Sequence, residues 1–256
     1  MSFPRFVRNR QPQIPVSADY PGLIYVWMPA TDTLAKSGTI TRAHTSNGMA
    51  VVTASSAYEF MNSAPQFSLD ACSILSILTP KDVTAGASTY AVACGSSSSV
   101  RPLFMIGQGA STSQLSFRTR DSENTDIATS GTSPEWASGK TSVCIGVRSK
   151  SLATQRVFAN GKQIASSAVG TAAATTFDRF AIGCLLRSTA ALHWAGKTGL
   201  VAVFNRKLSD AEIKSLSDNP WQIFQPAARA IWVPVGAAGG ASNAPRYFHR
   251  TQSGQA

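Results

Sequence analysis

A chain of 256 residues with 43% hydrophobic and 14% charged side chains can bury a full core, which excludes a wholly disordered protein. Its formal charge of +10 is weighted to the ends: Arg5, Arg8 and Arg10 at the start and Arg229, Arg246 and Arg250 at the close have no acid among them, leaving 17 bases against 13 acids over residues 19–218. No run of five or six like charges forms a binding tail, no stretch reaches the roughly 20 apolar residues of a bilayer span, and no apolar segment follows Met1-Ser2-Phe3-Pro4-Arg5, so nucleic acid and membrane are disfavoured and synthesis without a secretory signal is expected.

Residues 1–19 contain Pro4, Pro12 and Pro15 with little periodicity and read as an extended basic arm. Beyond them, short apolar runs alternate with Gly, Ser, Asn and Pro: Leu23 to Met28, Cys72 to Leu78, Tyr90 to Cys94, Leu103 to Ile106 and Gln114 to Thr119. Further runs cover Ser142 to Arg148, Arg156 to Ala159, Phe180 to Cys184 and Leu200 to Phe204. So many short strands imply two facing antiparallel sheets. Ser96 to Ser99 and Thr119 to Gly139 are polar and rich in turn residues, which predicts loops. Asn160-Gly161 supplies the two positive φ angles of a type I′ turn, so Arg156–Ala159 is expected to pair with Lys162–Ser166 at a sheet edge or rim. Ser209-Asp210-Ala211-Glu212 is a capping box, and Ile213 and Leu216 follow on one face, which predicts a single short helix packed on the sheets. Residues 218–256 are interrupted by Pro220, Pro226, Pro234 and Pro245 and by the Gly/Ala run 236–240, and read as a second arm. Arms of this kind fray when alone, so neighbouring subunits are expected to order them. The folded domain is thereby placed over residues 20–217.

Catalytic and cofactor motifs fail on spacing. Cys72, Cys94, Cys144 and Cys184 form no CxxC pair, and a cytoplasmic origin makes them reduced core residues. Gly139-Lys140-Thr141 and Gly196-Lys197-Thr198 lack the earlier glycine of a phosphate loop, Pro134 and Ala191 standing in its place. His44, His193 and His249 have no metal-ligand partner nearby in sequence, and no G-x-S-x-G elbow marks a nucleophile. No cofactor is implied.

The order of features has a family signature. Gly22-Leu23-Ile24-Tyr25-Val26-Trp27 is followed by Phe67 to Thr79, Val157-Phe158-Ala159-Asn160-Gly161-Lys162, Phe180-Ala181-Ile182-Gly183 and Trp194-Ala195-Gly196-Lys197. The series closes with Gly199 to Phe204 running into Asn205-Arg206-Lys207-Leu208-Ser209-Asp210-Ala211-Glu212-Ile213. This resembles the concanavalin A-like lectin and laminin-G-like jelly roll, and the sequel Asn219-Pro220-Trp221-Gln222-Ile223-Phe224 resembles the version found in virion proteins of tailed bacteriophages. The resemblance implies an all-β antiparallel sandwich with one C-terminal helix, in a particle-associated protein whose partners are other virion subunits and copies of itself.

Glucanase members of this superfamily carry clustered carboxylates on one strand, in an E-x-D-x-x-E pattern. Here the densest acids are Asp121, Glu123 and Asp126, and alternation sets Asp126 on the face opposite the other two, so no hydrolase is expected. The same three acids are weak calcium candidates, as in some laminin-G-like domains, against a plain solvated loop. A lectin site would use Trp136, His193 and Trp194 as an aromatic platform, although core packing is the competing reading for Trp194; Trp27 reads as core. Trp221, Phe224 and Trp232 either fold back on the domain or, with Arg5, Arg8 and Arg10, anchor neighbouring chains. The favoured function is a non-enzymatic structural accessory of a phage virion, in head decoration or tail; the alternative is a carbohydrate-binding adhesin recognising host glycans.

Overall fold

The structure, a computed structural model, describes residues 20–29, 34–45, 48–53, 57–84, 87–98, 102–123 and 125–224. The first strands are β1 (Leu23–Trp27), β2 (Ala35–Ser37), β3 (Thr41–Thr45), β4 (Gly48–Thr53) and β5 (Tyr58–Met61). The middle of the chain forms β6 (Ala71–Pro80), β7 (Thr89–Gly95), β8 (Leu103–Gln108), β9 (Gln114–Arg120), β10 (Asp126–Thr132) and β11 (Ser142–Ser149). The remainder forms β12 (Thr154–Ala159), β13 (Lys162–Ala168), β14 (Arg179–Ile182), β15 (Leu185–Leu186), β16 (Ala190–Ala191) and β17 (Gly196–Phe204), followed by helix α1 (Asp210–Asp218) and a 3-10 turn over Pro220–Phe224.

Sheet I runs β13-β12-β11-β6-β17-β4-β3, with β1 added to β17. Sheet II runs β10-β9-β8-β7-β14-β5-β2, and every strand pairing in both is antiparallel. The small β15-β16 hairpin stands apart from both sheets. The expected all-β jelly-roll sandwich is what the chain forms.

The core lies between the sheets, where Ile74, Val92, Phe104, Ile106, Phe117 and Phe180 are fully enclosed. A second apolar layer covers the outer face of sheet I. There Leu75, Ile77, Ile145 and Phe204 meet Ile213 and Leu216 of α1. Covered on both faces, β11 is buried at every position, which is why its sequence reads as a continuous apolar run instead of an alternation. The helix begins as its capping box dictates: the Ser209 hydroxyl accepts from the Glu212 amide at 3.3 Å, and the Glu212 carboxylate accepts from the Ser209 amide at 2.8 Å.

Asn160 and Gly161 have φ of 48° and 77°, and Ala159 faces Lys162, so the expected hairpin forms with β13 at the edge of sheet I. The predicted loop over Thr119 to Gly139 is corrected: β9 extends to Arg120 and β10 occupies Asp126–Thr132. That strand is the edge of sheet II and half exposed, so it needs hydrogen-bonding geometry but little hydrophobicity, and its polar sequence conceals it. Trp221 and Phe224 are partly buried against the layer under α1, with ring centroids 6.1 Å apart. Arg5, Arg8, Arg10 and Trp232 lie outside the described residues. Among the described residues no helix is long and apolar enough to cross a membrane.

Candidate functional site

The aromatic platform expected at Trp136 and Trp194 does not exist as a surface. Trp136 is 1% exposed and Trp194 0%, and the two indoles stack on one another at 5.9 Å and 27° inside the sandwich. Both are large apolar groups on short connections, and burying them against each other wins over presenting them to solvent. His193 is half-buried and separate from them, with its ring 5.9 Å from Tyr58.

Of the three acids weighed as calcium ligands, Asp121 and Asp126 are committed to other contacts. Asp121 is buried and accepts from the backbone amides of Glu123 (3.0 Å), Thr125 (2.8 Å) and Ala173 (3.0 Å). Burial opposes its ionisation, but these bonds outweigh it and hold the carboxyl below its ordinary range. Its role is to pin the β9–β10 turn to the segment before β14. Glu123 is exposed in that turn, and Asp126 binds arginines across the hairpin. Among the described residues no group of three or more His, Cys, Asp or Glu is placed to hold a metal.

What the fold assembles instead is a basic shelf on the outer face of sheet II. Leu115, Phe117 and Thr119 point into the sandwich, so strand alternation turns Arg118 and Arg120 outward. Register places Asp126 of β10 directly opposite Arg120, and Ala128 opposite Arg118. The Asp126 carboxylate accepts from Arg118 Nε at 2.8 Å and Nη2 at 2.5 Å, and from Arg120 Nε at 3.0 Å and Nη2. Burial works against this carboxylate's charge, yet the two guanidiniums prevail and depress its pKa, while the bond to Asp126 raises that of Arg118. Arg118 also hydrogen-bonds the side chain of Tyr90, which is buried on the neighbouring part of the face.

The β15–β16 hairpin walls the shelf on its inner side. It rests on a small apolar cluster of Tyr90, Ala93, Leu103, Met105 and Leu185. A Cβ added to Gly95 would meet the Leu186 carbonyl at 2.9 Å and Arg187 Cγ at 3.4 Å, so β7 carries glycine where the hairpin crosses it. Arg187 lies in the turn of this hairpin: burial lowers its pKa, and the positive charges of Arg120 and Arg118 lower it further. The Arg118 and Arg120 side chains are 25% and 19% exposed, so their charged ends reach solvent while their stems are covered. On the far side of the hairpin, Tyr58 and Phe60 stand half-buried on the same face with ring centroids 5.7 Å apart.

Asp82, Asp121, Asp126, Asp178, Glu135 and Glu212 are each shifted downward. A glycosidase general acid needs the opposite shift.

The strand order, the capped helix and the hairpin are now joined by a direct comparison: the sequence model of the Concanavalin A-like lectin/glucanases superfamily, laminin-G type, matches residues 42–214. The chain belongs to this superfamily. No curated protein sequence matches it. Among solved structures, this concanavalin A-like chain is similar to domain 4 of AbnA, an extracellular arabinanase from Geobacillus stearothermophilus, in complex with arabinotriose. The identity is 15%, the coverage 70% of this chain and 82% of that one, and the TM-score 0.53. It is also similar to the binding domain of Paraclostridial Mosquitocidal Protein 1, at 10% identity, 77% and 52% coverage and a TM-score of 0.56. The binding domain of Botulinum Neurotoxin DC in complex with SialylT matches at 11% identity, 72% and 46% coverage and a TM-score of 0.55. The chain thus spans most of the arabinanase domain and about half of each toxin binding domain.

The sequence reading missed Arg118, Arg120, Arg187, Tyr58 and Phe60. One signal was available: Arg118-Thr119-Arg120 puts two cations on one strand face, and Asp126 follows within hairpin reach.

Proposed function

We propose that this protein is a non-catalytic carbohydrate-binding module whose binding face is the shelf formed by β9, β10 and the β15–β16 hairpin. The observation that carries the reading is the guanidinium cluster of Arg118, Arg120 and Arg187, held by a buried tyrosine and an aspartate on an open sheet face and bounded by a wall. Sugar sites need such fixed polar groups to orient hydroxyls in a partly desolvated recess. Similar folds in the arabinotriose-bound arabinanase domain and the SialylT-bound toxin domain support it. So does the downward shift of Asp126, the carboxylate on this face, which is opposite to what a glycoside-cleaving general acid needs.

The test is a glycan array on the full chain, repeated with Ala128→Trp. Ala128 is exposed and directly opposite Arg118, so an indole there covers the shelf without entering the core. Binding that the substitution abolishes is expected; binding that it leaves intact, or an array with no hits, refutes the reading.

A second reading concerns where the module is carried. The tailed-phage resemblance of Asn219 to Phe224, and the basic ends with Arg5, Arg8 and Arg10, support display on a virion as an adhesin or decoration protein in contact with other particle subunits. Deleting residues 1–18 is expected to preserve glycan binding and prevent loading onto particles. Full loading of the truncated protein refutes virion attachment through this arm.

A further inference from the structure

We propose that a second, weaker sugar site lies on the other side of the hairpin, in the bay between β5, β14 and β15–β16. There the apolar face of a pyranose ring stacks on Tyr58 and Phe60, and its hydroxyls meet Arg179 and His193. This site goes beyond the shelf and uses none of the shelf's arginines.

Strand register builds the bay. On β5 Glu59 is enclosed, so alternation turns Tyr58 and Phe60 to the outer face, where both are half-buried. Ala181 of β14 stands opposite Phe60 on one side and the exposed Ala35 of the edge strand β2 on the other, so Phe60 has only methyl groups as its direct cross-strand neighbours. Arg179 shares the face of Ala181, since Phe180 between them is enclosed, and it lies diagonal to Phe60 across the β14–β5 ladder, within reach of a long side chain. Leu186 and Ala190 of the hairpin pack in one apolar cluster with Tyr58 and Phe60 and close the inner side. His193 is the one member of the expected aromatic platform that is not enclosed, and its ring stands 5.9 Å from Tyr58. The guest follows from this lining. Two rings inclined at 48° offer no common plane to a flat aromatic guest, whereas a puckered pyranose presents C–H groups on one face and hydroxyls around its rim. A guanidinium and an imidazole beside the rings supply hydrogen bonds for that rim. Among the described residues Leu152 is the only large apolar side chain left exposed, so no broad apolar patch surrounds the bay for a protein partner to cover. Stacking with a few polar contacts holds a single sugar at about millimolar strength, too weakly to be retained on a washed array.

The experiment is an NMR titration of the full chain, labelled with ¹³C in its Tyr and Phe rings, against the methyl β-pyranosides of glucose, galactose and N-acetylglucosamine. The Tyr58 and Phe60 signals are assigned from Tyr58→Phe and Phe60→Leu spectra. With at least one sugar both signals are expected to shift and saturate in the millimolar range, in the wild type and in Ala128→Trp alike. Arg179→Gln should weaken that affinity about fivefold or more. Ala35→Leu should abolish the shifts, because Ala35 is exposed opposite Phe60 and an isobutyl group there covers the ring while both aromatics stay in place; the melting temperature should not change. Ring signals unmoved by all three sugars, shifts that survive Ala35→Leu or disappear in Ala128→Trp, or an affinity indifferent to Arg179→Gln overturn the proposal. Unmoved ring signals leave the shelf reading standing, since that reading is decided by array binding and its loss in Ala128→Trp.

Discussion

Replacing Glu212 by Gln isolates the electrostatic part of what fastens α1 to sheet I. Glutamine at this position keeps the capping box, since its amide oxygen still accepts from the Ser209 backbone. The two bonds from Arg206, at 3.0 Å to Oε2 and 2.6 Å to Oε1, lose their ionic character. The Arg206 bonds, opposed by partial burial and assisted by Ser209, lower the Glu212 pKa from 4.5 to about 2. At about 1.36 kcal/mol per tenfold change in acidity this bounds the coupling near 3 kcal/mol. The carboxylate is 32% exposed, and solvent screening brings the expected loss to about 1 kcal/mol, or about 2–4 °C in melting temperature for a domain of this size. Because the folded pKa is the depressed one, the stabilisation is fully present above pH 4.5 and is lost as pH falls through about 2. Urea unfolding of wild type and Glu212→Gln between pH 7 and pH 3 should show curves that differ at neutral pH and approach one another below pH 4.5. A gap that stays constant across this range, or no gap at pH 7, refutes the argument.

Gly146→Ala should destabilise the sandwich by about 1–3 kcal/mol, because its Cβ would lie 2.5 Å from Cδ2 of the enclosed Phe117 ring; chemical denaturation measures it. Asn160→Ala should cost about 1–2 kcal/mol, since alanine tolerates the φ of 48° poorly and the Val143 amide loses its 2.9 Å acceptor. Trp136→Phe should lower the melting temperature yet leave glycan affinity unchanged, because the indole is enclosed against Trp194 and not on the binding face. All four cysteines are free and buried, with burial pushing the Cys184 thiol up to about 12 and the other three higher, so a thiol reagent should react only at the rate of unfolding.

How legible a segment was depended on whether its residues answer to local or to distant neighbours. The Asn160-Gly161 turn and the Ser209 to Glu212 cap are local chemistry, and both stand where their residues demand. Strands such as Ser142–Ser149 were visible because burial on both faces makes them apolar throughout. Asp126–Thr132 was not, since an edge strand is specified by its partner's backbone more than by its own side chains. The tryptophans were misplaced for a related reason. Nothing in Pro134-Glu135-Trp136 or His193-Trp194 states that two connections far apart in sequence will close on each other. The shelf was half legible: Arg118 and Arg120 are two apart on one strand, but Arg187 joins their side of the sheet only because the chain leaves β14 and folds a hairpin back over Gly95.

The position of β17 governs when this protein can fold at all. Gly196–Phe204 lies between β6 on one side and β4 and β1, end to end, on the other. Until it emerges from the ribosome, β6 and the β3–β4 hairpin each present an unsatisfied hydrogen-bonding edge, and β1 has no partner in its sheet. Such edges recruit other chains, and joining segments separated by more than a hundred residues is intrinsically slow. Co-translational folding of sheet I therefore waits on the synthesis of its last strand, and a nascent chain halted before Gly196 is a substrate for chaperones and not a smaller version of the fold.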